Sequence, residues 1–227
     1  MWLTPVHRLK RSIAIIILFA VGCATAPFQE AALVSLENAD PQTVIERFRS
    51  GSAESFQLLN TIVFEYTWFS FAGIGYIEVD AKEQSYKVAC MNHMGVKLFE
   101  VSGNRDGVLS QSAIGPLADK GDIGRAVGND IMRVYFDLVP STNARITQKT
   151  DRIVFRQPSE DGALEYVFAG EPAVLSTKTY YEDNRAVWRV SYYDYLMKDG
   201  KRFPTGIILQ NYRHGYRLIV RQKEIRG

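Results

Sequence analysis

Soft ligands cluster once in this 227-residue chain, where Cys90, Met91, His93 and Met94 fall within five residues. A thiol, two thioethers and an imidazole at that spacing suit copper(I). Alternation argues against convergence: the stretch Ser85 to Met91 reads as a strand and Asn92 to Gly95 as a turn, so Cys90 and Met91 point to opposite faces. No metal centre is expected. Acid–base chemistry has few carriers, because His93 and His214 are the only imidazoles after residue 22. There is no nucleophile elbow, HExxH or P-loop, and the carboxylates scatter over turns and strand ends. Gly73 and Gly75 lack the third glycine and the following helix of a dinucleotide site, and read as a bend into the next strand. The expectation is a protein that is not an enzyme and carries no cofactor.

The second cysteine has a different setting. Arg8, Lys10 and Arg11 precede an uncharged apolar run from Ile13 to Val21. That run is about half of the roughly 20 residues a spanning helix needs, and the basic cluster lies on the side expected of a secretory signal. Ala20, Val21, Gly22 and Cys23 then resemble a bacterial lipobox, at which the cysteine is diacylated and the signal removed. A plain secretory signal or an uncleaved anchor, with Cys23 incidental, is the competing reading. More than one acyl chain makes an anchor stable, since each buried methylene contributes about 0.8 kcal/mol. The expected division is residues 1–22 as signal, 23–27 as lipidated tether and 28–227 as a single domain.

Cleavage would remove three of the 27 basic residues and none of the 25 acidic ones, turning the formal charge of +2 into a near-neutral balance. Such a chain is not expected to bind nucleic acid. With Cys23 lipidated, Cys90 is the one remaining thiol, and the domain is long enough to fold without staples.

These side chains need elements to hold them. Phe28, Ala31, Ala32 and Leu36 have helical spacing, and Asp40 followed by Pro41 reads as an N-cap and first turn of a second helix. Val44, Ile45 and Phe48 form its apolar stripe, and Gly51 its end. From Phe56 the period becomes two, with Ile62, Phe64, Tyr66 and Trp68 on one face. Short strands follow near Ile74 to Val79, Ser85 to Met91, Val96 to Val101 and Gly107 to Ile114. Asp122 to Leu138 returns to helical spacing and stops before Pro140. Strands resume near Arg152. The last three run over Ala186 to Leu196, Arg202 to Tyr212 and Tyr216 to Lys223, with a tight turn at His214 and Gly215. Trp188, Val190, Tyr192, Phe203, Ile207, Leu209, Tyr216, Leu218 and Val220 share one phase, while Arg189, Gln210, Arg217, Arg221 and Lys223 take the other. The fold class is mainly β with α: a curved antiparallel half-open barrel of about 11 strands, with helices applied to it.

This order, together with the lipobox, resembles the LolA and LolB group of lipoprotein-localisation factors. Residues 202–225, RFPTGIILQNYRHGYRLIVRQKEI, are similar to that family's closing hairpin, and residues 73–101 to its early meander. The resemblance implies a hydrophobic cavity for acyl chains between a concave sheet and a helical lid. In the anchored member, cargo arrives from a soluble periplasmic carrier and leaves into the outer membrane. The implied lipid-binding walls are Phe64, Tyr66, Trp68, Trp188, Tyr192, Phe203, Leu209 and Leu218, with Ile131, Val134 and Tyr135 on the covering helix. Met94, in the Asn92 to Gly95 turn, is the nearest match to the family's membrane-delivery loop, although it stands in place of a leucine. The implied partners are membrane lipid through Cys23, lipid or lipoprotein cargo, and a periplasmic carrier, on the periplasmic face of the outer membrane. The alternative function is a scaffold lipoprotein that binds a protein partner with the same fold.

Overall fold

A computed structural model describes residues 28–67, 69–114 and 123–226. Cys23, the expected signal and tether, and Trp68 lie outside them. The chain first forms helix α1 (Pro41–Gly51), then strands β1 (Ser55–Tyr66), β2 (Phe69–Asp80), β3 (Ser85–Met91), β4 (Lys97–Asn104) and β5 (Gly107–Ala113). Helix α2 (Ile123–Tyr135) follows. Seven more strands complete the chain: β6 (Arg145–Lys149), β7 (Arg152–Ser159), β8 (Gly162–Ala169), β9 (Val174–Glu182), β10 (Arg185–Lys198), β11 (Lys201–Asn211) and β12 (Tyr216–Arg226).

All twelve strands join one antiparallel sheet in the order β5-β4-β3-β2-β1-β12-β11-β10-β9-β8-β7-β6. Each half is a meander of hairpins, and β1 pairs with β12 at the centre. The consequence for α2 is topological. The chain leaves β5 at one edge and must reach β6 at the other, and α2 makes this crossing on the apolar face of the sheet.

Alternation fixes that face. Phe56, Leu58, Asn60, Ile62 and Phe64 of β1 pair through Val79, Ile77, Gly75, Gly73 and Phe71 of β2, and on the other side through Ile225, Gln222, Val220 and Leu218 of β12. Two buried clusters cover it. One gathers Val44, Ile45 and Phe48 of α1 with Phe155, Phe168, Trp188, Val190, Tyr192 and Leu209. The other gathers Ile131 and Phe136 with Phe56, Ile77, Tyr86, Val101 and Phe203. Gly128 lets α2 approach closely, because a Cβ there would collide with the Tyr86 hydroxyl.

Helix α1 begins as its sequence requires. The Asp40 side chain accepts from the Thr43 backbone N–H at 2.8 Å, and Pro41 opens the first turn. The Thr43 hydroxyl and N–H hold the Asp40 carboxyl below its ordinary pKa.

Three expectations change. Residues 28–36 are not helical. Phe28 stacks on Tyr193 at 5.5 Å over Gly206 on the outer face, Arg221 lies over its ring, and the Leu36 N–H donates to the Thr150 carbonyl at 2.7 Å. Tertiary contacts thus override the local spacing. The strands number twelve rather than about eleven, because β6 is exposed along its whole length and leaves no apolar period to read. Gly73 and Gly75 lie within β2 and do not form the reversal, which falls between Tyr66 and Phe69. At Gly73 a Cβ would press on the Met91 carbonyl.

Candidate functional site

Between the helices and the sheet lies a cavity of about 50 Å³. Phe48, Ser52 and Ala53 line it from α1 and the turn after it, Phe56 and Leu58 from β1, and Val134, Tyr135 and Leu138 from the end of α2. Tyr192, Tyr195, Arg202, Phe203, Pro204 and Gln222 close the sheet side. Phe56 meets Phe203 edge-on with centroids 5.6 Å apart, and Phe48 meets Tyr195 at 6.4 Å, so aromatic edges form much of the wall.

The α2 wall is held by its C-terminal carbonyls. The Tyr192 hydroxyl donates to the Val134 carbonyl at 2.9 Å, and Lys178 Nζ to the carbonyls of Phe136 at 2.7 Å and Arg133 at 3.3 Å. These groups satisfy acceptors that a helix end leaves open. Lys178 is buried, and that burial pushes its pKa down to about 8, against the opposing pull of Asp137. One turn earlier the Asp130 carboxylate accepts from the Tyr216 hydroxyl at 2.6 Å and from Arg133 at 2.8 Å. Burial pushes the Asp130 carboxyl up, while Tyr216 and Arg133 favour its charged form. The Arg133 guanidinium lies 5.5 Å from the Trp188 ring centre, which in turn stacks on Tyr180 at 5.9 Å.

Of the residues expected to form the walls, Val134, Tyr135, Tyr192 and Phe203 come together around this cavity. Ile131 is buried beside it in the second cluster, and Leu209 and Trp188 are buried in the first, away from the cavity. Phe64 and Leu218 share the concave face but lie further along it, where Phe64 packs against Tyr216 at 5.2 Å. Tyr66 is 46% exposed at the end of the β1–β2 hairpin. Met94 stands 84% exposed on the β3–β4 turn, whose backbone is tied by the Asn92 side chain accepting from the Met94 and Val96 N–H groups.

The thiol cluster does not converge. Cys90 is fully buried on the concave face, where burial raises its pKa to about 11, Met91 faces the other way, and His93 and Met94 are exposed. Among the described residues, no three His, Cys, Asp or Glu side chains gather at metal-binding distance.

Several lining residues had no separate signal. Phe48 was visible as part of a helix stripe, and Phe56 and Leu58 as the start of a strand, but alternation alone does not say which part of a face a helix will cover. Gln222 and its neighbour Asn60 did carry a readable sign: each is an amide in an otherwise apolar phase, following Leu218 and Val220 in one strand and Phe56 and Leu58 in the other.

No family model and no curated protein matches the chain. Solved structures do. A LolA superfamily protein from Nitrosomonas europaea is 12% identical with a TM-score of 0.53, covering 82% of this chain and 92% of its own. A DUF1329 family protein from Desulfovibrio piger is 9% identical with a TM-score of 0.55, covering 82% and 90%. The architecture is therefore LolA/LolB-like, as the order of elements implied.

Proposed function

We propose that this chain is a bacterial envelope lipoprotein, anchored through Cys23 at the periplasmic face of the outer membrane, that holds an acyl chain or the acylated end of a lipoprotein under its two helices. On this reading a soluble periplasmic carrier supplies the cargo. The observation that carries the reading is the aromatic and aliphatic cavity between α1, α2 and the concave sheet. Its 50 Å³ is far below the roughly 300 Å³ at which small-molecule sites begin, so cargo enters only as the helices move outward. Burying about ten methylenes that would otherwise meet water contributes roughly 8 kcal/mol towards opening that space. Among the described residues no helix is long and apolar enough to cross a membrane.

Residues 24–227, purified and examined by native mass spectrometry, should carry lipid or take up added palmitate at one per chain. A chain that stays empty with palmitate in excess contradicts the proposal.

One feature favours a second reading, in which the same fold binds a protein. The β5 strand, at one edge of the sheet, has seven residues with no charge and an exposed Leu109, whereas β6 at the other edge carries Arg145 and Lys149. Charges guard one edge against strand addition and not the other. An empty cavity combined with loss of partner capture in Leu109→Lys would favour this alternative.

A further inference from the structure

One charged side chain lines the cavity. Arg202, near the start of β11, is half-buried there, and the other polar groups of the wall are uncharged. The hydroxyls of Tyr192, Tyr195 and Ser52 each donate to a backbone carbonyl, that of Val134 at 2.9 Å, Leu175 at 2.8 Å and Phe48 at 2.9 Å. Arg202 differs, because a guanidinium carries five N–H donors and this one gives a single hydrogen bond, to the Arg47 carbonyl near the end of α1 at 3.3 Å. Among the described residues no carboxylate pairs with it. Its charge is felt within the wall: burial pushes the Tyr195 hydroxyl pKa up, and Arg202 acts against that shift. The end of α1 does not consume this charge. A helix C-terminus carries about half a negative charge. Two cations meet it, Arg202 at Arg47 and Lys201, whose Nζ donates to the Ser50 carbonyl at 3.0 Å. Lys198 donates to the Ile225 carbonyl, and the neighbouring Glu224 is taken by Arg226. An excess of positive charge therefore stands beside the aromatic wall.

We propose that Arg202 is the head-group site of the cavity, so that the ligand is an acyl or alkyl chain bearing its own anionic head, a carboxylate or a phosphate, in preference to a neutral one. The inference rests on the acyl-binding reading and deepens it by naming the ligand class. The planar fork of a guanidinium matches either oxyanion with two parallel N–H donors. With the head on Arg202, the methylenes of the tail meet Phe48, Phe56, Phe203 and Val134 in the same cavity. A neutral alcohol of equal length fills that apolar wall but leaves the half-buried charge without a counter-charge. An anion does both.

The test is calorimetric titration of residues 24–227 at pH 8 with three probes of equal chain length, decanoate, decyl phosphate and decanol, each below its micelle concentration. At least one anion should bind about tenfold more tightly than decanol, the effect of one charge-assisted hydrogen bond. The tighter anion identifies the source, decanoate standing for a free fatty acid and decyl phosphate for a phospholipid. Arg202→Gln should bring that ratio towards one, and Arg202→Lys, which keeps the charge, should retain the greater part of it. Lys201→Gln removes an equal charge that does not line the cavity, and should change the ratio by less than about twofold. An arginine that only caps α1 would give the opposite in Arg202→Gln: a lower melting temperature and an unchanged ratio. Equal affinity of the wild-type chain for anions and decanol, or an equal loss in Arg202→Gln and Lys201→Gln, overturns the head-group site while leaving acyl binding intact. Failure of all three probes to bind overturns both.

Discussion

Replacing Lys178 with methionine isolates the clasp that holds α2 against the sheet. In the folded chain burial lowers the Lys178 pKa from 10.5 to about 8, while in the unfolded chain it returns to its ordinary value. A depressed lysine pKa means that above pH 8 the unfolded chain binds more protons than the folded one, so stability rises with pH through this window. Between pH 7 and pH 10 the gain is roughly 2 to 3 kcal/mol. Methionine carries no proton and offers no donor to the Phe136 and Arg133 carbonyls, so its profile lacks that rise. Urea denaturation of both chains at half-unit steps, followed by tryptophan fluorescence, gives the difference directly, and titration of the tyrosines is common to both. The wild-type advantage over Lys178→Met should grow by roughly 2 kcal/mol or more from pH 7 to pH 10. A difference that stays flat across that range would refute the buried, neutralised lysine and with it this account of how the α2 wall is held.

Gly206→Ala places a methyl group inside the Phe28 ring, so the segment 28–36 should detach and become several-fold more sensitive to protease, with global stability nearly unchanged. Equal protection in both chains would contradict the contact. Cys23→Ser should release the protein from membranes into the soluble fraction, and retention would argue against lipidation. Phe48→Ala removes a ring that lines the cavity and packs on Phe168 at 5.2 Å, and should cost about 3–5 kcal/mol in denaturant while enlarging the space for palmitate. A loss below about 1 kcal/mol would place Phe48 outside the core.

The sequence announces its elements wherever local chemistry and burial agree. Asp40, Pro41 and Gly51 bracket α1 because an N-cap, a proline at N1 and a helix-ending glycine act within one turn. The phases of β10, β11 and β12 are legible because one face is buried along most of their length. Legibility fails where tertiary structure decides. Phe28 and Leu36 have helical spacing yet are drawn out along the sheet by Gly206 and by Thr150, contacts that are 178 and 114 residues away. For the cavity, alternation correctly assigned Tyr192, Phe203, Phe64 and Leu209 to one face. It could not separate the two that meet the end of α2 from the two that do not, because that depends on where the crossover from β5 to β6 lands. Gln222 is the reverse case: an amide that breaks the apolar phase of β12 and lines the cavity.

On the proposed function an acyl chain lies under α1 and α2. Photolabelling residues 24–227 with a diazirine-bearing palmitate, followed by peptide mapping, tests it most directly. Label is expected on peptides containing Phe56 and Leu58, Val134 to Leu138, and Phe203, with labelling suppressed by excess palmitate. Label confined to the outer face around Phe28 and Tyr193, or to the exposed Met94 turn, would contradict it.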